Sequence, residues 1–143
     1  MSSTPADLDA VTRFLEQYYA AMETNDPDEY SAYYSDDIRL TFGNDETIHG
    51  KASATDAFDS VLGRFASLHH DLVNVWPQPD GVVIFESLGT WHLRNGASVT
   101  VPACSVFTVI DGLFTDLRIY VDNAPVFAAL EAAEGPSAKG NDV

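Results

Sequence analysis

Apolar residues first recur along the chain at helical spacing: Leu8, Val11, Phe14, Leu15, Tyr18 and Met22 line one side of an α-helix. Thr4, Pro5 and Asp7 precede them as a start signal, and the pattern predicts a helix to about residue 23. A second start signal, Asp26 as cap with Pro27 in the first turn and Glu29 closing the box, opens a short helix carrying Tyr30, Tyr33 and Tyr34. The period then drops to two. Ile38, Leu40 and Phe42 alternate with Arg39 and Thr41 as a first strand, and "GNDE" turns the chain before "IHG". A third helix follows Gly50 and buries Phe58, Val61, Leu62 and Phe65. From His69 onward the chain is strand: "HHDLVNVW", "GVVIFESLGTWHL", "SVTVPACSVFTVI" and "LFTDLRIYVD", separated by "PQPDG", "RNG" and "DG". Helices first and a meander second define an α+β domain, with two to three N-terminal helices held in a curved mixed or antiparallel sheet that forms an open-mouthed cone. Residues 1–130 form this single domain, and the tail "EAAEGPSAKGNDV", residues 131–143, is expected to be loose.

Charge narrows the partners. The chain carries 22 acidic and 7 basic residues for a formal charge of -15, and it lacks the basic face that a nucleic acid or an anionic membrane requires. The lone Cys104 excludes an internal disulfide and a cysteine-rich zinc site. No apolar run approaches a membrane span, and "MSSTPADLDA" lacks the regions of a secretory signal, so a cytoplasmic location is expected. No two histidines stand at helical ligand spacing, and no glycine-rich phosphate loop is present, so neither metal nor cofactor is expected.

Candidate chemistry sits on the strands. In "LRIYVDNAP", residues 117–125, Leu117, Ile119 and Val121 alternate with Arg118, Tyr120 and Asp122. Asp122 and Tyr120 therefore share a face: on the solvent side the aspartate is a cap for the turn that follows, and on the inner side it is a desolvated acid or base. Of the adjacent His69 and His70, a regular strand turns one inward, and His70 is favoured, on a face with Leu72, Asn74 and Trp76. Asp122 or Asn74 would orient its imidazole. Phe42, Phe58, Trp76 and Phe107 are wall residues.

The order of these elements, together with "YYSDD", "IHG" and "YVD", resembles the SnoaL-like branch of the NTF2-like superfamily, over residues 8–128. The resemblance implies a cone that hosts ketosteroid isomerases, limonene-epoxide hydrolases, scytalone dehydratases, polyketide cyclases and non-catalytic transport factors. By position Tyr18 matches the isomerases' oxygen-binding tyrosine and Tyr34 its support, whereas Thr41 or Phe42 stands where their base would be, and Ser105 stands in place of their second acid. Asp122 matches the late-strand aspartate of the cyclases and epoxide hydrolases, and His70 the histidine of the dehydratases. Ser87 and Gly89 occupy the stretch where the epoxide hydrolases carry an arginine and an aspartate.

Two classes of function follow. The first is a cofactor-independent isomerase, cyclase or dehydratase for a small, mostly apolar oxygenated molecule such as a polyketide, terpenoid or steroid-like compound. Its proton carriers would be His70 and Asp122, its oxygen ligands Tyr18 and Tyr34, and its lining Tyr30, Phe42, Phe58, Asn74, Trp76, Ser105, Phe107 and Tyr120. The second is a binding module of the same fold. An epoxide hydrolase is a further alternative, needing a second acid. Convergence of His70 and Asp122 on one cavity separates enzyme from module. Relatives pair through the outer sheet face, so a homodimer is expected.

Overall fold

A computed structural model of the chain describes residues 7–140. Helix α1 (Leu8–Met22) is capped by Asp7, whose carboxylate accepts from the Ala10 N–H, while Thr4 and Pro5 lie outside the described residues. Helix α2 (Pro27–Ser31) starts as expected, with Asp26 accepting from the Asp28 N–H. It ends sooner than expected. Tyr34 opens strand β1 (Tyr34–Phe42) instead of riding on the helix, because the chain leaves α2 through a turn at Ala32 and Tyr33. Strand β2 (Ile48–His49) and helix α3 (Lys51–Leu62) follow, then the meander β3 (Ser67–Pro77), β4 (Val82–His92), β5 (Ser98–Ile110) and β6 (Leu113–Val121). Helix α4 spans Ala124–Gly140, extending over residues 131–140 of the segment expected to be loose.

The six strands form one sheet in the order β2-β1-β6-β5-β4-β3. Only β1 and β6 run parallel, so the sheet is mixed, as the cone-shaped α+β fold requires. Register shifts interrupt β1–β6, β3–β4 and β5–β6, and each adds local twist that bends the sheet. The β5–β6 hairpin closes on Asp111 and Gly112, both with positive φ, as a two-residue turn demands. Between β3 and β4, Gly81 (φ 81°) is required by contact as well as conformation, since a Cβ there would lie 2.2 Å from the Val109 carbonyl oxygen.

One end of the cone is filled. Tyr18, fully buried on α1, sets its ring 4.8 Å from Phe114 and 6.4 Å from Phe107, and Phe107 lies 5.2 Å from Phe114. Leu15, Ile38, Leu40 and Leu117 close the remainder. Burying these large apolar side chains is the main term holding helix to sheet. Phe114→Ala is expected to cost about 3–5 kcal/mol, read as a lowered midpoint in chemical denaturation with the slope unchanged.

Candidate active site

The other end of the cone is hollow, leaving a cavity of about 380 Å³ between the sheet, α1, α3 and the start of α4. Its walls are Phe42, Phe58, Leu68, Trp91, Val101 and Phe107, and its polar groups are Tyr18, His70, Ser87, Ser105 and Asn123, with Asn44 and Asp45 at the rim. Among the predicted residues, Tyr18, His70, Phe42, Phe58, Ser105 and Phe107 meet here.

Tyr34 stands behind Tyr18. Their hydroxyls share a 2.6 Å hydrogen bond, which uses one of the two protons and leaves the pair a second one to donate. Burial pushes both phenols far above their ordinary range, so they serve as neutral donors. Tyr30 lies deeper and outside the cavity; its hydroxyl reaches the Thr55 carbonyl, and burial, then the nearby acids Asp59, Asp26 and Asp56, push its pKa up to about 12.

His70 is held on three sides. Tyr19 stacks on its ring at 4.0 Å, its backbone N–H donates to Glu23 Oε2 at 2.8 Å, and its shielded Nδ1 stands 3.6 Å from the same oxygen. Burial lowers the imidazole pKa and the Glu23 carboxylate raises it, with burial prevailing, so His70 is a neutral base near neutral pH. Glu23 feels the reverse balance: burial raises its pKa, but hydrogen bonds from His70 and then His69 outweigh it and hold it below 4.5. The outer neighbour, His69, donates from Nδ1 to Glu23 at 3.2 Å and from Nε2 to Asp71 at 3.1 Å. Both donations together require the imidazolium, consistent with its raised pKa.

Asp122 does not join this group. It is exposed, its Oδ1 accepting from the Ala124 N–H at 2.9 Å, and Tyr120 beside it is 52 % exposed. The inner face of β6 is the apolar one, Leu117, Ile119 and Val121, so the alternation itself carried the right answer and the positional match misdirected it. Asn74 and Trp76 also point outward: Asn74 donates to Glu86 and Trp76 is 44 % exposed. The cause is the register shift between Leu72 and Asn74, which places Val73 as an extra residue and reverses every later side chain on β3. The carboxylate beside the His70 ring is therefore that of Glu23, which the periodicity analysis passed over. A signal for it existed. A carboxylate at the carboxyl end of a helix, with no basic residue in that turn, opposes the helix dipole and calls for a compensating partner.

Comparison with known proteins follows this architecture. The SnoaL-like domain model matches residues 15–117, and the chain belongs to that family. No curated protein matches it. An epoxide hydrolase from M. tuberculosis of the limonene-epoxide-hydrolase type superimposes with a TM-score of 0.68 at 22% identity, covering 92% of this chain and 95% of the other. A candidate SnoaL-like polyketide cyclase from Jannaschia sp. CCS1 gives 0.63 at 23%, covering 83% and 92%. A protein of ketosteroid isomerase-like fold from Catenulispora acidiphila DSM 44928, bound to trimethylamine, gives 0.70 at 14%, covering 80% and 89%.

The pKa shifts fix a pH dependence. His70 binds its proton more weakly folded than unfolded, so its contribution to stability is complete above pH 6.5 and drains as pH falls through its folded value. Glu23 contributes fully above pH 4.5 and loses that contribution at lower pH. His69, with a raised pKa, acts oppositely, stabilising below pH 6.5 and ceasing to do so as pH rises through its folded value. Glu23→Gln is expected to remove the limb below pH 4.5 from denaturant midpoints measured against pH. By deleting the charge that supports the imidazolium, it should also lower the His70 pKa further in an NMR titration.

Proposed function

We propose that this protein is a cofactor-independent acid/base enzyme acting on a small, mostly apolar molecule that carries a ketone or a hydroxyl. One observation carries the reading: a neutral His70, backed by Glu23, lines the same apolar cavity as Tyr18, whose hydroxyl is hydrogen-bonded to that of Tyr34. A base, its orienting carboxylate and an oxygen ligand are the parts that proton abstraction beside a carbonyl needs. The imidazole takes a proton from the carbon next to the carbonyl, Glu23 stabilises the imidazolium that forms, and the tyrosine pair donates to the oxygen as negative charge develops there. Return of the proton to another carbon gives isomerisation. Attack of the enolate carbon on a second carbonyl gives cyclisation, and departure of a neighbouring hydroxyl as water gives dehydration. The polyketide-cyclase and epoxide-hydrolase assignments of the structural neighbours agree with an oxygenated substrate. Hydrolysis of an epoxide fits less well, because among the described residues lining the cavity the only carboxylate is the rim residue Asp45.

The outward turn of Asp122 favours a second reading, in which the cavity holds its ligand unchanged. Exchange of carbon-bound protons in D2O separates the two. With a panel of cyclic ketones and enones, NMR is expected to follow exchange beside the carbonyl, slowed by roughly 10²–10⁴-fold in His70→Asn, the usual worth of a general base. Ketones that bind without exchanging, or exchange indifferent to His70→Asn, would leave the binding module as the better account.

The outer sheet face supports self-association. Val73, Trp76, Leu88 and Tyr120 stand exposed on it, and apolar surface of this kind is commonly covered by a partner. Sedimentation is expected to give a dimer for the wild type and a monomer for Leu88→Arg.

A further inference from the structure

A second polar anchor lies across the cavity from His70. The ladder pairs His70 with Gly89 and Gly89 with Val101. It ends on β6 at Ala103 with Val121, so Asn123, two residues on, follows beside Val101. These four residues all line the cavity, the first three in one row across the sheet and Asn123 just past the end of β6. The amide oxygen of Asn123 is shielded from solvent and has no hydrogen-bond partner among the described residues.

The local sequence removes one ordinary partner of this oxygen. Asn123 is the cap of α4, its backbone carbonyl accepting from the Phe127 N–H. A cap side chain ordinarily accepts from the second or third N–H of the helix. Here the second residue is Pro125, which has none. The Ala124 N–H is already taken by Asp122. Asp122 thus serves the turn, and Asn123 stays in the cavity lining.

The row between the two anchors is open. A Cβ on Gly89 would meet Leu68, Trp91 and Val101 at ordinary contact distances of 3.8–4.0 Å, so the glycine leaves room for about one further carbon there. Three strand spacings amount to roughly 14 Å between the backbones of His70 and Asn123. Sheet curvature and the inward reach of both side chains shorten that to the length of a small fused-ring skeleton.

We propose that Asn123 is the distal anchor of the substrate, accepting a hydrogen bond from a hydroxyl at the end remote from the carbon that His70 deprotonates. This deepens the catalytic reading of the cavity and rests on it. The substrate class is a flat, apolar carbonyl compound with a distal hydroxyl, such as a phenolic or enolic ketone, rather than a hydrocarbon, a simple ketone or an ether. A donor is required because the unpaired atom is an acceptor, and a buried acceptor left unpaired counts against any ligand that cannot donate to it.

Three probes test this by calorimetry: α-tetralone, its derivative with a hydroxyl on the ring carbon farthest from the ketone, and the methyl ether of that derivative. The hydroxy compound is expected to bind wild-type protein roughly three- to tenfold more tightly than the other two. In Asn123→Leu that preference should vanish while α-tetralone binds at least as well. Asn123→Asp keeps an acceptor and should keep the preference. If the leucine variant does not fold, the wild-type comparison stands with the Asn123 side-chain amide signal, which should shift with the hydroxy compound and not with its ether. Equal binding of all three, no binding of any at millimolar concentration, or a preference that survives Asn123→Leu overturns the proposal. Proton exchange on the same compounds keeps the two readings apart. A hydroxyl preference without exchange would remove the catalysis and leave the anchor, and exchange without preference would do the reverse.

Discussion

The packing of Tyr18 against Phe107 and Phe114 is the contact on which the rest of the molecule depends. It joins the first helix to β5 and β6 and closes one end of the cone. With that end sealed by aromatic rings, the apolar surface toward the mouth has no side chains left to fill it, and a cavity results. The same residue then turns its hydroxyl to Tyr34, so one side chain is both the keystone of the core and part of the site. Interiors pack densely, and a void of this size persists only where rigid walls hold it open. Here the walls are the long paired strands β3, β4 and β5.

Electrostatics divides the cavity from its surroundings. The chain is strongly acidic, yet among the described residues only a single rim carboxylate reaches the lining. The acid that matters stands behind the histidine. Glu23 spends its lone pairs on the backbone N–H of His70 and on the ring of His69, and this keeps it ionised despite partial burial. Its charge acts on the cavity only through the His70 imidazole. That arrangement sets a neutral imidazole in the lining without placing a hydrated carboxylate in an apolar pocket, where desolvation would penalise it.

Most of the fold was legible in the chain. The cap at Asp26, the switch of period at Ile38, and the Asp111-Gly112 turn each rest on local physics, and local physics acts within a few residues. The site was legible where a side chain's orientation follows from an uninterrupted period, as for Tyr18, His70 and Phe107. It was misread for Asn74 and Trp76, because a single extra residue at Val73 reverses the facing of all that follows. It was misread again for Asp122, where a positional likeness outweighed an apolar face that already pointed the other way. Tyr34 moved from helix to strand without losing its partner, since the contact with Tyr18 is made by the fold and not by a shared helix.

The amino-acid sequence by itself determined the element order, the α+β class, the inner face of each regular strand segment and the presence of a tyrosine and a histidine in an apolar setting. Each depends on patterns that repeat over one or two turns or strands. Tertiary structure alone decided which acid stands beside His70, since Glu23 and His70 are separated by two helices and two strands and meet only when α1 lies across β3. It alone decided that Asn123 faces the cavity while Asp122 binds the turn. Those choices depend on register and on long-range contact, which no local period records.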